Sequence, residues 1–297
     1  MTRFHKLIIH ITHIPMKTRE ELIDDLLNLA FAEDIGDGDH TTLSIIPADE
    51  MGRSHLIIKE DGVLAGVAMA EKVLHKVDPS IKLDIFITDG TSVKKGDVAF
   101  IAEGPVRSLL IAERTMLNIM QRMSGVATMT AKYQKKLEGL HTKVLDTRKT
   151  TPGMRILEKD AVAMGGGKNH RIGLFDMILI KDNHIDFAGG IEKAIDRARE
   201  YCDKNGKDLK IEVEVRSLDD IRRVLAHGGV DRIMFDNFTP ELTREAVQLV
   251  NGAAETESSG GITLETLRSY GEAGVDFISV GALTHSVKSL DMSFKAM

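Results

Sequence analysis

Eight side chains able to carry positive charge fall in three short segments between positions 146 and 184: Arg148, Lys149, Arg155, Lys168, His170, Arg171, Lys181 and His184. They lie in the segments DTRKTTPGMR, GGGKNHR and ILIKDNH. The whole chain nevertheless has a formal net charge of -6. Cations concentrated against the overall sign suit a small, multiply anionic ligand, whereas a nucleic acid would want a broad basic face. Arginine grips carboxylates with paired hydrogen bonds, and lysine offers a point charge to phosphate. Two carboxylates, Glu214 and Asp236, add groups that suit sugar hydroxyls or a magnesium ion contacting pyrophosphate. Glu212 and Glu214 share one strand, and only one is expected to face the site; Glu214, nearer the strand end, is favoured. Asp236 has a second reading, as a cap for the helix beyond Asn237.

These residues need a frame. Strand-like runs at 143–146, 177–182, 210–215, 232–237, 254–258 and 277–281 alternate with helical patterns at 155–164, 189–203, 217–227, 239–250 and 263–273. Such alternation implies a parallel sheet with crossover helices, either a barrel or an open doubly wound sheet. The runs end in Asp146, Lys181-Asp182, Glu214, Asp236, Ser258-Ser259 and Gly281. Ligands of α/β folds bind at the carboxyl ends of the strands, so this placement gathers the polar groups into one site. Gly165-Gly166-Gly167, Ser258-Ser259-Gly260-Gly261 and Gly281 add backbone donors of the kind that hold phosphates. There is no GxxxxGK[ST] and no GxGxxG after a strand, which excludes P-loop and Rossmann readings.

The first half has a different pattern. Thr18 and Glu21 form a capping box ahead of a helix at 18–32 whose apolar face carries Leu22, Leu26, Leu27, Ala30 and Phe31. An acidic turn-forming loop, EDIGDGDHTT, follows at 33–42 and lacks the ligand ladder of an EF-hand. Strand-like runs at 54–60, 62–67, 81–88 and 98–103, with a helix near 69–77, predict an α+β unit with an antiparallel sheet. Residues 107–138 read as helical, with a break expected at Ser124-Gly125. The single cysteine, Cys202, excludes an intrachain disulfide and points to a reducing, cytoplasmic setting. No apolar run reaches ~18 residues, so no membrane span is expected. Residues 1–15 read as a dispensable, disordered extension ahead of Met16, with no signal-peptide cleavage site.

The segments EDIGDGDHTT, AERTMLNIMQRMSG, DTRKTTPGMR, GGGKNHRIGLFD, ILIKDNHI, IEVEV, FDNF, ESSGG and ISVGALTHS, in this order and spacing, resemble the quinolinate phosphoribosyltransferase family. Asp160 departs from the family pattern, where an aromatic is common. The resemblance implies an N-terminal α/β sandwich, placed at 16–122, and a C-terminal six-stranded incomplete α/β barrel, placed at 123–285. A tail at 286–297 would pack back toward the first domain. It implies a homodimer or dimer-based oligomer using quinolinate and phosphoribosyl pyrophosphate, with Mg2+ and with no nucleic-acid or membrane partner.

Residue by residue, the resemblance sets Arg114, Arg148, His170, Arg171 and Lys181 around quinolinate. Lys149, Lys181, Glu214, Asp236, Ser259, Gly260, Gly281 and His285 would line the phosphoribosyl pyrophosphate site. Lys149, Lys181, Glu214 and Asp236 would carry catalysis. Magnesium would be held mainly by substrate pyrophosphate, with Glu214 and Asp236 as candidate ligands directly or through water. Arg114 would reach the neighbouring subunit's site, an expectation strengthened by its apolar neighbours Ile111, Met116 and Leu117, among which an unpaired charge would be costly. The implied reaction is decarboxylating transfer to give nicotinate mononucleotide, pyrophosphate and CO2 in de novo NAD synthesis. Rival readings are a Schiff-base enzyme using Lys181, a paralogue acting on another base, and a non-catalytic sensor of phosphorylated ligands.

Overall fold

The computed structural model describes residues 15–297. The extension expected at 1–15 therefore falls, except for Pro15, outside the described residues. The capping box forms: the Thr18 hydroxyl accepts from Glu21 N, and the Glu21 carboxylate accepts from Thr18 N, opening the helix Arg19–Ile35. The acidic segment after it is not a single loop. The helix continues to Ile35, and a second helix, His40–Ile45, begins with Asp39 accepting from Thr42 N. Acidic residues followed by Thr thus mark a helix start rather than a simple turn.

Four antiparallel strands form the first sheet, in the order β12, β1, β5, β3. They are β1 (Met51–Ile58), β3 (Lys82–Ile85), β5 (Val98–Pro105) and β12 (Met292–Ala296). The short strands β2 (Gly62–Val63) and β4 (Ser92–Val93) pair separately. Leu56 and Ile58 alternate inward along β1 and are fully buried. The helix Val67–Val77 packs its apolar face against a 31-residue helix, Val106–Lys136, that passes between the two halves of the molecule.

That long helix has no break at Ser124-Gly125. Ser124 Oγ instead accepts from Ala65 N and donates to Ala65 O, at 2.8 and 3.0 Å. At Gly125 the chain around Lys288 lies so close that an added β-carbon would collide with the Lys288 carbonyl. Both residues permit close packing against the helix and leave its axis intact.

The second sheet is wholly parallel. Its strands are β6 (Lys143–Leu145), β7 (Ile178–Ile180), β8 (Ile211–Val215), β9 (Arg232–Asp236), β10 (Glu255–Ser259) and β11 (Phe277–Ser279), in the order β6, β11, β10, β9, β8, β7. The first strand pairs with the last, so the sheet has curled round on itself, which an open doubly wound sheet does not do. The barrel stays open between β6 and β7. There the chain after Gly167 bridges to β6 through Leu145 and Lys168.

Helices occupy the expected connections, with an unforeseen one at Asp182–Ala188 ahead of Ile191–Asn205. Asp160 receives both terminal nitrogens of Arg19, tying helix Arg155–Met164 to helix Arg19–Ile35. One continuous apolar core runs through both sheets. No helix among the described residues is long and apolar enough to cross a membrane.

Candidate active site

A cavity of about 670 Å³ opens at the carboxyl ends of the barrel strands. The loop after β6 supplies Arg148 and Lys149, and the segment before β7 supplies His170 and Arg171. The strand ends add Lys181, Glu214, Asp236, Ser259, Gly260, Gly281 and His285. Every residue the sequence reading assigned to the site lines this cavity except Arg114. Arg114 is exposed on the long helix, so its apolar sequence neighbours do not enclose it. It forms no ion pair among the described residues, because the helix turns Met116 and Leu117 inward and Arg114 outward.

The cavity's charges are unevenly matched. Burial and the neighbouring Arg148 push the Arg171 guanidinium below its usual pKa. Two guanidiniums this near one another favour an anion between them. Lys181 Nζ lies 3.4 Å from Glu214 Oε2. Lys181 is half-exposed beside this carboxylate and lacks the apolar enclosure of a Schiff-base lysine.

Asp236 accepts from Asn237 Nδ2 at 2.9 Å. Asn237 takes a left-handed backbone, φ 56°, which asparagine tolerates better than most residues. The following helix is capped by Thr239, whose hydroxyl accepts from Leu242 N, so Asp236 does not serve as its cap.

Beneath the cavity lies a charged layer that sequence reading missed. Glu212 and Glu214 are two residues apart, so both face the barrel interior, at different depths. Glu214, the one favoured for its place nearer the strand end, lines the cavity; Glu212 points inward too but lies deeper and does not line it. Glu212 and Glu257 are fully buried, as is most of Arg232. Arg232 Nη1 donates to Glu257 at 3.1 Å. Burial pushes the Glu212 carboxyl up to about 7 and Glu257 up to about 8, the latter also raised by Glu212. The pair therefore shares a proton near neutrality.

His170 Nδ1 accepts from Arg171 N at 2.7 Å, and Nε2 lies 2.9 Å from Glu212. Burial lowers the His170 pKa. With Nδ1 accepting, the neutral ring carries its proton on Nε2, which lies beside the acids without making a hydrogen bond. These three side chains bring ligand atoms within 4.8 Å of one another. Arg232 already occupies one oxygen of Glu257, and the group forms a buried charged cluster.

Other members of the cationic stretch stand behind the cavity. Lys159 Nζ is buried and donates to Asp146 and to the His170 carbonyl, at 2.9 Å for the latter. Asp146 accepts from His170 N at 2.9 Å. Arg155 donates to the carbonyls of Arg148 and Ile172. His184 Nδ1 accepts from Lys181 N at 2.9 Å, fixing the turn that aims Lys181. Lys168 takes part through its backbone, in the bridge to β6.

This fold and cavity have counterparts. The family model described as quinolinate phosphoribosyl transferase, N-terminal domain, matches residues 39–124, and the C-terminal domain model matches 126–295. The quinolinate phosphoribosyltransferase [decarboxylating] 2b, mitochondrial, of Nicotiana tabacum is 44% identical over 288 residues, 92% of this chain and 82% of the relative. A probable nicotinate-nucleotide pyrophosphorylase [carboxylating] of Bacillus subtilis (strain 168) is 44% identical over 268 residues, covering 90% of this chain and 91% of that protein. The crystal structure of NadC from Streptococcus pyogenes superposes with a TM-score of 0.89 at 40% identity, over 95% of this chain and all of that one. With both family models matched in order across nearly all of the described chain, the protein belongs to the quinolinate phosphoribosyl transferase family.

Proposed function

We propose that this protein transfers the phosphoribosyl group of phosphoribosyl pyrophosphate to the ring nitrogen of quinolinate, with loss of CO2, giving nicotinate mononucleotide for NAD synthesis. The observation that carries this reading is the meeting, in one cavity, of cations sufficient for two carboxylates and a phosphate with two carboxylates suited to a sugar. Arg148, Arg171 and Lys181 take the quinolinate carboxylates, and His170 shapes that end. Lys149, Ser259, Gly260, Gly281 and His285 take the phosphates.

The pyridine nitrogen forms a bond to the ribosyl C1 carbon as the C1–O bond breaks, its electron pair leaving with pyrophosphate. Positive charge grows on the sugar, and Glu214 or Asp236 stabilises it. The C2–carboxylate bond then breaks. Its electron pair stays on C2 beside the cationic nitrogen, CO2 departs, and C2 takes up a proton. Lys149 and Lys181 screen the departing and bound negative charge.

Glu214 and Asp236 lie at the strand ends that line this cavity, and their hard oxygens fit Mg2+, with substrate pyrophosphate as its main holder. When bound, the ion neutralises leaving-group charge. Turnover of quinolinate and phosphoribosyl pyrophosphate with magnesium to nicotinate mononucleotide is the expected result; absence of product with correctly folded protein removes the reading.

We place Arg114 across the twofold axis of a homodimer, reaching the partner's site. Its exposure, the lack of an ion pair among the described residues, and exposed Leu110 one turn away support this. Mixing inactive Arg114→Ala and Lys149→Ala subunits should partly restore activity, because one site of each heterodimer is intact. Proven exchange with activity at background would exclude the assignment. We place the reaction in the cytoplasm, a reducing setting in keeping with the buried free thiol of Cys202; fractionation of cells making the chain tests this.

A further inference from the structure

The loop after β6 carries Arg148 and Lys149 side by side, yet their backbones are held by different partners. The Lys149 carbonyl accepts from Thr284 Oγ1 at 2.8 Å. Thr284 belongs to the short helical turn between Gly281 and His285, both of which line the cavity. Its own carbonyl accepts from Arg122 Nη2. Arg122 Nε and Nη2 also donate to buried Glu158, at 3.0 and 2.8 Å. The other oxygen of Glu158 accepts from Thr151 N at 3.1 Å, and Arg122 Nη2 reaches Thr151 Oγ1 at 3.3 Å. One guanidinium from the long helix thus fastens both ends of the Lys149–His285 wall.

The other half of the loop has a separate fastening. Arg155 Nη2 donates to the Arg148 carbonyl at 3.4 Å, and Nη1 donates to Ile172 O at 3.1 Å, next to Arg171. Arg155 Nε donates to Thr150 Oγ1 at 3.0 Å. Neither Arg122 nor Arg155 lines the cavity.

We infer that Arg122 and Arg155 are two independent positioning residues, Arg122 setting the phosphoribosyl pyrophosphate half of the site and Arg155 the quinolinate half. The assignment of the halves rests on the function proposed above. A planar guanidinium with several fixed donors can hold two segments in register, which a lysine ammonium cannot reproduce. Small displacements of ligand-holding groups have large kinetic effects, so Arg122→Lys should raise KM for phosphoribosyl pyrophosphate about tenfold and KM for quinolinate less than about twofold. Arg155→Lys should give the reverse.

Thr284→Val removes the hydroxyl to Lys149 while keeping side-chain shape. It should reproduce the Arg122→Lys pattern and serves as the test if Arg122→Lys does not fold. Hydrogen exchange on the unliganded protein gives a readout independent of chemistry. Arg122→Lys should speed exchange at 149–151 and 282–285, and Arg155→Lys at 171–173. If the wild type turns over and each variant raises both KM values equally, the division of labour is wrong. If the wild type does not turn over, the function reading fails instead. Exchange then decides the two fastenings alone, and faster exchange spread across the whole barrel in either variant overturns them.

Discussion

At the residue scale, the cavity sorts its charges by task, and single substitutions should separate the tasks. Arg148→Ala and Arg171→Ala should weaken quinolinate binding by roughly 2–5 kcal/mol, since each leaves a desolvated carboxylate without its partner. Their effect on phosphoribosyl pyrophosphate should be much smaller. Glu214→Ala and Asp236→Ala should reverse that order. Calorimetry with each ligand separately checks both, and normal quinolinate binding by the Arg171 variant would refute the assignment.

The buried acids make a second prediction. The Glu257 carboxyl is raised from 4.5 to about 8, so between those values the native protein holds a proton that the unfolded chain has released. Its contribution to stability is therefore present at low pH and lost as pH rises through about 8. Glu257→Gln keeps a neutral side chain of the same shape. It should flatten the fall in thermal midpoint between about pH 4.5 and 8, as measured by calorimetry. An unchanged slope would mean that Glu257 is ionised throughout.

At the element scale, the helix Val106–Lys136 organises both sheets, and its glycine is the place to test this. Gly125→Ala puts a methyl against the Lys288 carbonyl. Overpacking of this kind costs about 1–3 kcal/mol, so the midpoint in urea should fall without a change in helix content. A stabilised variant would show that the tail yields freely.

The same residue shows what the sequence conceals. A Ser-Gly pair inside a helical pattern reads as punctuation, because backbone freedom is glycine's commonest use. Its other use, room for a neighbouring backbone, depends on what packs there and leaves no local signal. The alternation of strands and helices beyond position 143 was legible, and with it the strand-end cations and carboxylates, because period and turn chemistry are local. The acids and arginine packed behind His170, namely Glu212, Glu257 and Arg232, were not. Charges inside strands normally mark a solvent-facing side, and only barrel closure turns that side inward. The two-residue spacing of Glu212 and Glu214 did carry the signal that they share a face. The helix Asp182–Ala188 was hidden by Gly189-Gly190, which end it and precede the next one.

At the scale of the whole molecule, the two sheets are joined by chain that returns from the barrel to the first domain. Gln121 O accepts from Leu290 N, Gln121 Nε2 donates to Met292 O, and β12 then pairs with β1 along Ser54–Ile58. Removing residues 290–297 should strip buried Met292 and Phe294 from the core and leave β1 as an open edge. Such a chain should unfold at clearly lower denaturant and aggregate, whereas a chain starting at Met16 should fold and turn over normally. Equal stability of the shortened and full chains would mean that β12 is dispensable.

This pairing also orders events during synthesis. The first-domain sheet is assembled from segments more than 230 residues apart, since β1 ends at Ile58 and β12 begins at Met292. Because β12 follows every other strand, the sheet cannot be completed until the ribosome has made the barrel. Nascent chains halted near residue 285 should stay protease-sensitive in both halves, and protection should arrive in one step once the last strand clears the exit tunnel.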